Sequence, residues 1–171
     1  MSLERLWAGW RIPYIEAASG EPGLVGTDDK GSLFERILSS DLSDEEARVV
    51  WRGTTCSALL NAYPYSNGHL MVLPNRAVAE LDRLEAVEHA ELWDLVRDAT
   101  VAVKAAYAPD GINVGINLGR AAGAGVPDHL HVHVLPRWAG DTNFMTSVAE
   151  ARVLPEPLGD SWTRLRDAWP H

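Results

Sequence analysis

The chain has a single cysteine, Cys56, and so no disulfide within itself. An apolar core must hold the fold, and a reducing compartment, the cytoplasm, is the expected location. Long hydrophobic runs are missing as well: nothing approaches the roughly 20 apolar residues of a membrane-spanning helix. The start, Met1-Ser-Leu-Glu-Arg-Leu-Trp7, lacks the apolar run of a secretory leader, so neither insertion nor export is expected. Basic charge is scarce. Lys and Arg number 15 against 24 Asp and Glu, a formal net charge of −9. That excludes the broad basic surface with which nucleic-acid-binding proteins neutralise backbone phosphates. A small anionic ligand remains compatible, provided that its donors are concentrated locally. There is no internal repeat and no extended low-complexity tract.

What is present suits one ordinary globular domain over residues 1–171, with 46% hydrophobic and 23% charged residues. Residues 1–32 form a loop-rich segment. Trp7 and Trp10 read as packing anchors, and Ala17 to Lys30 is rich in Gly, Pro, Ser and Asp. Leu33 to Leu38 is expected to be a short helix, and Ser43-Asp-Glu-Glu-Ala47 a capped turn leading into a strand at Val49-Val50-Trp51. Further strands are expected at Cys56–Leu60, His69–Pro74, Ile112–Leu118 and Leu130–Leu135. Between them, Leu84 to Tyr107 carries Val87, Leu92, Leu95, Val96, Ala99 and Val103 at helical spacing. A late helix spans about Leu158 to Trp169. Strands, one long helix, more strands and a short C-terminal helix make an α+β fold with a mostly antiparallel sheet.

Three of the six histidines lie in one run, His129-Leu-His131-Val-His133-Val-Leu-Pro136-Arg137. On a strand, successive side chains alternate, so His129, His131 and His133 share one open face while Leu130, Val132 and Val134 face the core. Alternate residues are about 6.6–6.8 Å apart, too far for one phosphate to sit equally close to all three rings. The roles must therefore divide. His131, flanked on both sides, is the natural attacker at phosphorus, with the outer two orienting it or bonding phosphate oxygens. Attack through one ring nitrogen requires the other to carry the proton, and a bond to a backbone carbonyl would fix that tautomer. A zinc site built on two of these histidines is the competing reading. No carboxylate or thiolate stands at a recognised zinc spacing, however, and three ligands along one strand are too spread to close a tetrahedron. Upstream, Gly119, Gly123 and Gly125 sit in a loop beside Arg120, where backbone amides can approach phosphate oxygens.

The run from His129 to Arg137 resembles the His-φ-His-φ-His-φ-φ signature of the histidine-triad superfamily. The similarity extends to Asn61–Pro74, to Asn117-Leu-Gly119 and to Pro136–Phe144. This last segment, with Arg5-Leu-Trp7, is similar to the branch containing bacterial diadenosine tetraphosphate phosphorylases. The resemblance implies cleavage at the α-phosphate of a dinucleoside polyphosphate through a covalent nucleotidyl-histidine on His131, resolved by water or phosphate. His129 and His133 match its catalytic neighbours. His69 matches a further histidine beside the phosphates, Asn61 a ribose contact, and Asn117 and the loop Gly123-Ala124-Gly125 phosphate contacts. Trp138 and Asn143 belong to the branch-specific tail, with Trp138 offering a stacking surface to the distal part of the substrate. On residue chemistry alone, His69 also reads as a half-buried strand residue, Asn61 as a turn cap and Trp138 as ordinary packing.

The resemblance further implies a homodimer and no required cofactor, with a divalent cation compatible as company for the polyphosphate. Many relatives carry a Cys-x-x-Cys pair for structural zinc where this chain has Ser32-Leu-Phe-Glu35. With both thiolates missing, Glu35, His89 and His129 would make a poorer site, and no structural zinc is expected. Gly125 stands where several relatives have Ser, leaving only backbone to contact phosphate there. The same triad also suits a nucleoside phosphoramidate or aminoacyl nucleotide, and a nucleotide-binding module without turnover is the non-enzyme alternative.

Overall fold

The computed structural model describes residues 31–141 and 154–170. Arg5–Trp7, Trp10, the loop before Lys30 and Asn143 lie outside the described residues. The elements run α1 (Leu33–Leu38), β1 (Val49–Arg52), β2 (Cys56–Leu60), β3 (Leu70–Pro74), α2 (Ala86–Tyr107), β4 (Gly111–Ile116), β5 (Val132–Arg137) and α3 (Leu158–Asp167). Short 3-10 turns occupy Leu81–Arg83 and Arg120–Ala122. The five strands form one antiparallel sheet in the order β1-β2-β3-β5-β4, so the expected α+β architecture is the observed one.

The helix α2 lies across one face of the sheet because Leu92, Leu95, Val96, Ala99 and Val103 recur on one stripe, all of them buried. They pack on Ala58, Leu60, Leu70, Val72, Val132 and Val134. Val87 was expected in this stripe and is instead 61% exposed. The position one turn before Leu92 is Glu88, which is buried and bonds Arg76 at 2.6 and 2.8 Å. A charged pair therefore ends the apolar stripe where Val87 falls out of phase.

The helix α3 closes the β1 side of the sheet. Trp162 donates its indole N–H to the carbonyl of Val49 at 2.9 Å, Arg166 donates to that of Val50, and Trp169 stacks on Trp51 with centroids 6.0 Å apart. On the opposite face, Phe34 of α1 joins Val49, Leu59, Met71 and Leu73 in a second, smaller cluster. This is the face that carries the histidines, since Met71 is the β3 partner of His133.

Candidate active site

The odd–even alternation of the triad run is observed: Leu130, Val132 and Val134 enter the α2-side core, and His129, His131 and His133 turn the other way. Two features differ from expectation. The strand begins at Val132, not Leu130, because the preceding residues are held by loops: His129 N–H bonds the carbonyl of Val126 and Leu130 N–H that of Val78. The face is also not open. His129, His131 and His133 are 0%, 6% and 8% exposed, and the Phe34 ring lies edge-on to both His129 and His131 at 5.3 Å. The rings of His131 and His133 approach to 4.9 Å, nearer than strand spacing alone allows for their backbones.

Each ring's hydrogen bonds fix its tautomer. His131 donates Nδ1–H to the carbonyl of His129 at 2.8 Å, which places the lone pair on Nε2. Burial lowers its pKa, opposed by that carbonyl, so the ring is neutral at physiological pH. His129 donates Nε2–H to the carbonyl of Pro74 at 2.7 Å and accepts at Nδ1 from the Ser32 hydroxyl at 2.5 Å. Both its nitrogens are thus engaged inside the protein. Burial lowers its pKa too, against the raising effects of the Pro74 carbonyl and the Glu35 charge.

His69 completes the group. Gly68 precedes it at φ +74°, where a Cβ would fall 2.5 Å from the Tyr107 ring, so only glycine fits this turn into β3. The backbone N–H of Tyr65 donates to His69 Nδ1 at 3.2 Å, with the Asn61 amide at 3.4 Å from the same atom. An accepting Nδ1 puts the proton on Nε2, which donates to His133 Nδ1 at 2.9 Å. His133 in its neutral form then carries its own proton on Nε2. The Tyr65 ring packs over His69 at 4.7 Å and stacks with His133 at 6.1 Å.

Among the other residues singled out in the sequence, Asn61 is buried and its carbonyl accepts Tyr63 N–H at 2.9 Å, so it turns the loop and faces His69. Asn117 directly follows the last β4 pair, Ile116–Val132, and His131 directly precedes it on the other strand. The glycine loop differs from expectation. Gly123 N–H and Ala124 N–H bond the carbonyls of Arg120 and Gly119 at 2.9 and 3.3 Å, so these two amides close their own turn. Gly123 adopts φ +93°, and no atom lies within 4 Å of a Cβ built there or at Gly125. Trp138 stands beyond the far end of β5, roughly 20 Å from His131 along a strand. Its ring meets Tyr107 edge-on at 6.3 Å.

The zinc alternative is not assembled. Both carboxylate oxygens of Glu35 accept backbone amides, from Ala77 and Ser32 at 2.8 Å each, and these bonds hold its carboxyl below the usual range. His89 sits elsewhere, accepting from Trp93 Nε1 at 3.2 Å on the outer side of α2. No group of three or more His, Cys, Asp or Glu side chains among the described residues could hold a metal ion. Glu35 and His129 are each engaged in hydrogen bonds within the protein instead. Ser32, Phe34, Tyr65 and the Pro74 carbonyl are members of the site that sequence reasoning missed. The pattern Ser32-x-x-Glu35 was a visible capping signal for the first of them.

The family model of the HIT domain matches residues 43–140, more than half of the chain. The chain belongs to the HIT domain family. The AP-4-A phosphorylase of Mycobacterium tuberculosis is 42% identical to this HIT protein over 167 residues, 98% of this chain and 85% of that protein. The asymmetrical bis(5′-nucleosyl)-tetraphosphatase of Schizosaccharomyces pombe is 35% identical over 56% of this chain and 52% of that protein. Among solved structures, a zinc-bound histidine triad family protein from Mycobacterium smegmatis superposes with a TM-score of 0.65 at 27% identity, covering 80% of this chain and 91% of that one.

Proposed function

We propose that this HIT protein cleaves dinucleoside polyphosphates at the α-phosphate by transferring a nucleotidyl group to His131 and then to phosphate or water. The observation that carries this reading is the 2.8 Å bond from His131 Nδ1 to the His129 carbonyl, which presents an unprotonated Nε2 within a cluster of imidazoles. The Nε2 lone pair attacks the α-phosphorus and the bond to the bridging oxygen breaks. The polyphosphate leaves as its anion, and His133 Nε2–H hydrogen-bonds the oxygen on which its charge develops. The nucleotidyl-imidazolium carries a positive charge that the His129 carbonyl faces directly. In the second step an acceptor oxygen attacks, the P–N bond breaks with its electron pair returning to His131 Nε2, and any proton on the acceptor passes to solvent. The relationship to a named phosphorylase at 42% identity favours phosphate as the acceptor.

In this reading His129 and His133 support the nucleophile and His69 orders the proton on His133. Asn117 and the Gly123-Ala124-Gly125 loop would border the phosphates, the loop by its open backbone and not by the Gly123 and Ala124 amides, which close their own turn. Trp138 and Asn143 would serve the distal part of the substrate, Trp138 from the far end of β5 and so at a partner's site. Dimerisation is part of the proposal. The β1 edge of the sheet is covered by Trp162 and Arg166, whereas β4 ends the other side with Val114 44% exposed, an edge suited to a two-fold partner. The protein would act in the cytoplasm, where the buried Cys56 stays reduced.

The test uses purified protein and diadenosine tetraphosphate, with and without inorganic phosphate. Phosphorolysis yields ADP and ATP, and hydrolysis yields AMP and ATP. Acid quenching during turnover should trap labelled nucleotide on the wild type and none on His131→Ala. Turnover retained by His131→Ala would remove the covalent route, and sedimentation as a monomer would remove the dimer.

A further inference from the structure

His129 is clamped by hydrogen bonds within the protein, and the clamp reaches the nucleophile. Ser32 is the N-cap of α1 in a complete capping box: its hydroxyl oxygen accepts Glu35 N–H at 3.2 Å, and its own N–H bonds Glu35 Oε2 at 2.8 Å. The remaining Glu35 oxygen accepts Ala77 N–H at 2.8 Å, tying α1 to the segment that follows β3. With that hydroxyl oxygen accepting from Glu35, its proton is directed at His129 Nδ1, 2.5 Å away and 97 residues later in the chain. The other side of the same ring is fixed by the Pro74 carbonyl. A ring held at both nitrogens cannot rotate. The carbonyl of His129 is then presented in one orientation, and it is this carbonyl that holds the His131 proton on Nδ1. Phe34, two residues after Ser32, packs on both rings from the same turn of helix.

We infer that Ser32 is a positioning residue for the nucleophile. The α1 capping box, with Glu35 and the Ala77 amide, is a hydrogen-bonded clamp that orients His129 and through its carbonyl sets the tautomer of His131. The inference rests on the proposed role of His131. A neutral imidazole has two tautomers, and only the one protonated at Nδ1 can attack through Nε2. Removing the Ser32 hydroxyl leaves a buried acceptor on His129 unpaired and lets that ring turn, so the population of the attacking tautomer falls.

The experiment is steady-state kinetics on diadenosine tetraphosphate combined with imidazole ¹⁵N–¹H correlation spectra, using Ser32→Ala and Ser32→Thr. Ser32→Ala should lower kcat by about tenfold or more while KM stays within about twofold, because displacing a reacting group by ~1 Å costs up to about 10²-fold without weakening substrate binding. Its spectrum should show a changed His129 Nδ1 and a mixture of Nδ1–H and Nε2–H forms at His131. Ser32→Thr, which keeps the hydroxyl, should restore both. Wild-type kcat in Ser32→Ala, or a reduced kcat with unchanged His129 and His131 signals, would overturn the inference. Should Ser32→Ala fail to fold, Glu35→Gln, which replaces one of the two backbone acceptors with a donor, should move the same signals, and unchanged signals there count equally against it. The spectra report the tautomers whether or not the dinucleotide is cleaved. Inactivity of the wild type would therefore defeat the proposed function and leave the clamp tested on its own.

Discussion

His131 Nδ1 lies 2.8 Å from the carbonyl oxygen of His129, two residues earlier in the same segment, so the residue before the nucleophile's neighbour acts through its backbone and not its ring. This relationship has a pH signature. The attacking form of His131 is neutral, and burial lowers its pKa below the ordinary 6.5. The acid limb of kcat/KM, which reports the free enzyme, should therefore fall at a pH below about 6.5, with the limb lost as Nε2 takes a proton. A limb centred at or above that value would contradict a buried, neutral nucleophile.

The same burial links pH to folding. His129 and His131 both have pKa values lowered from 6.5 in the folded chain, so between those values and 6.5 the unfolded state binds more protons. The stability they contribute is fully present above about 6.5 and declines as pH falls through it toward the folded values. Urea midpoints at pH 7.5 and 5.5 should show this loss, and replacing His129 with Gln should reduce it. Equal midpoints for the wild type would mean that both rings charge freely in the fold.

Much of this was legible in the sequence, and the limits are physical. The helix Leu33–Leu38 and the strand Cys56–Leu60 have the expected boundaries, because a cap or a turn residue stands at their ends. The alternation that singled out His131 is observed because Leu130, Val132 and Val134 enter the larger core beneath α2. Periodicity reports a face, however, and not what covers it, so the burial of the imidazoles beneath Phe34 was invisible. The Ser32–His129 bond joins residues 97 apart, and a single sequence carries no signal of that pairing. The loop at Gly123 suggested amides for phosphate, but a 3-10 turn satisfies its own termini first.

The Nε2 of His69, 2.9 Å from His133 Nδ1, fixes where His133 keeps its proton. In His69→Phe that order is lost, and the hydrogen bond from His133 to the leaving group should weaken. Across a series of nucleoside 5′-aryl phosphates, the plot of log kcat/KM against leaving-group pKa should be steeper for the variant than for the wild type. A hydrogen bond to a developing anion strengthens with the charge on it, so the loss should be largest for the most basic leaving groups. Parallel lines would remove stabilisation of the leaving group from the role of this pair.

Both oxygens of Glu35 and both ring nitrogens of His129 are already hydrogen-bonded within the protein, so chelation should leave the fold intact. Protein dialysed against EDTA should contain substoichiometric zinc and melt at the same temperature as untreated protein. Retained stoichiometric zinc, or a Tm lowered by the chelator, would show that the clamp opens to ligate metal.

Away from the imidazoles, Glu91 on α2 ties down the β1–β2 turn. One carboxylate oxygen accepts Thr54 N–H at 2.7 Å, and the other accepts Thr55 N–H at 2.6 Å, Cys56 N–H at 3.2 Å and the Thr55 hydroxyl. Without that carboxylate three consecutive amides lose their acceptor, where the hairpin must meet the helix for β2 to keep its register. Bonds to a charged acceptor are worth about 1.5–3 kcal/mol each, and solvent can replace part of the loss at this half-buried turn, so Glu91→Ala should cost about 2 kcal/mol. Urea denaturation should show a lower midpoint at unchanged m, and kcat should match the wild type wherever the variant is folded. A shift below about 0.5 kcal/mol, the range of an ordinary surface substitution, would mean that the turn holds its shape without the helix.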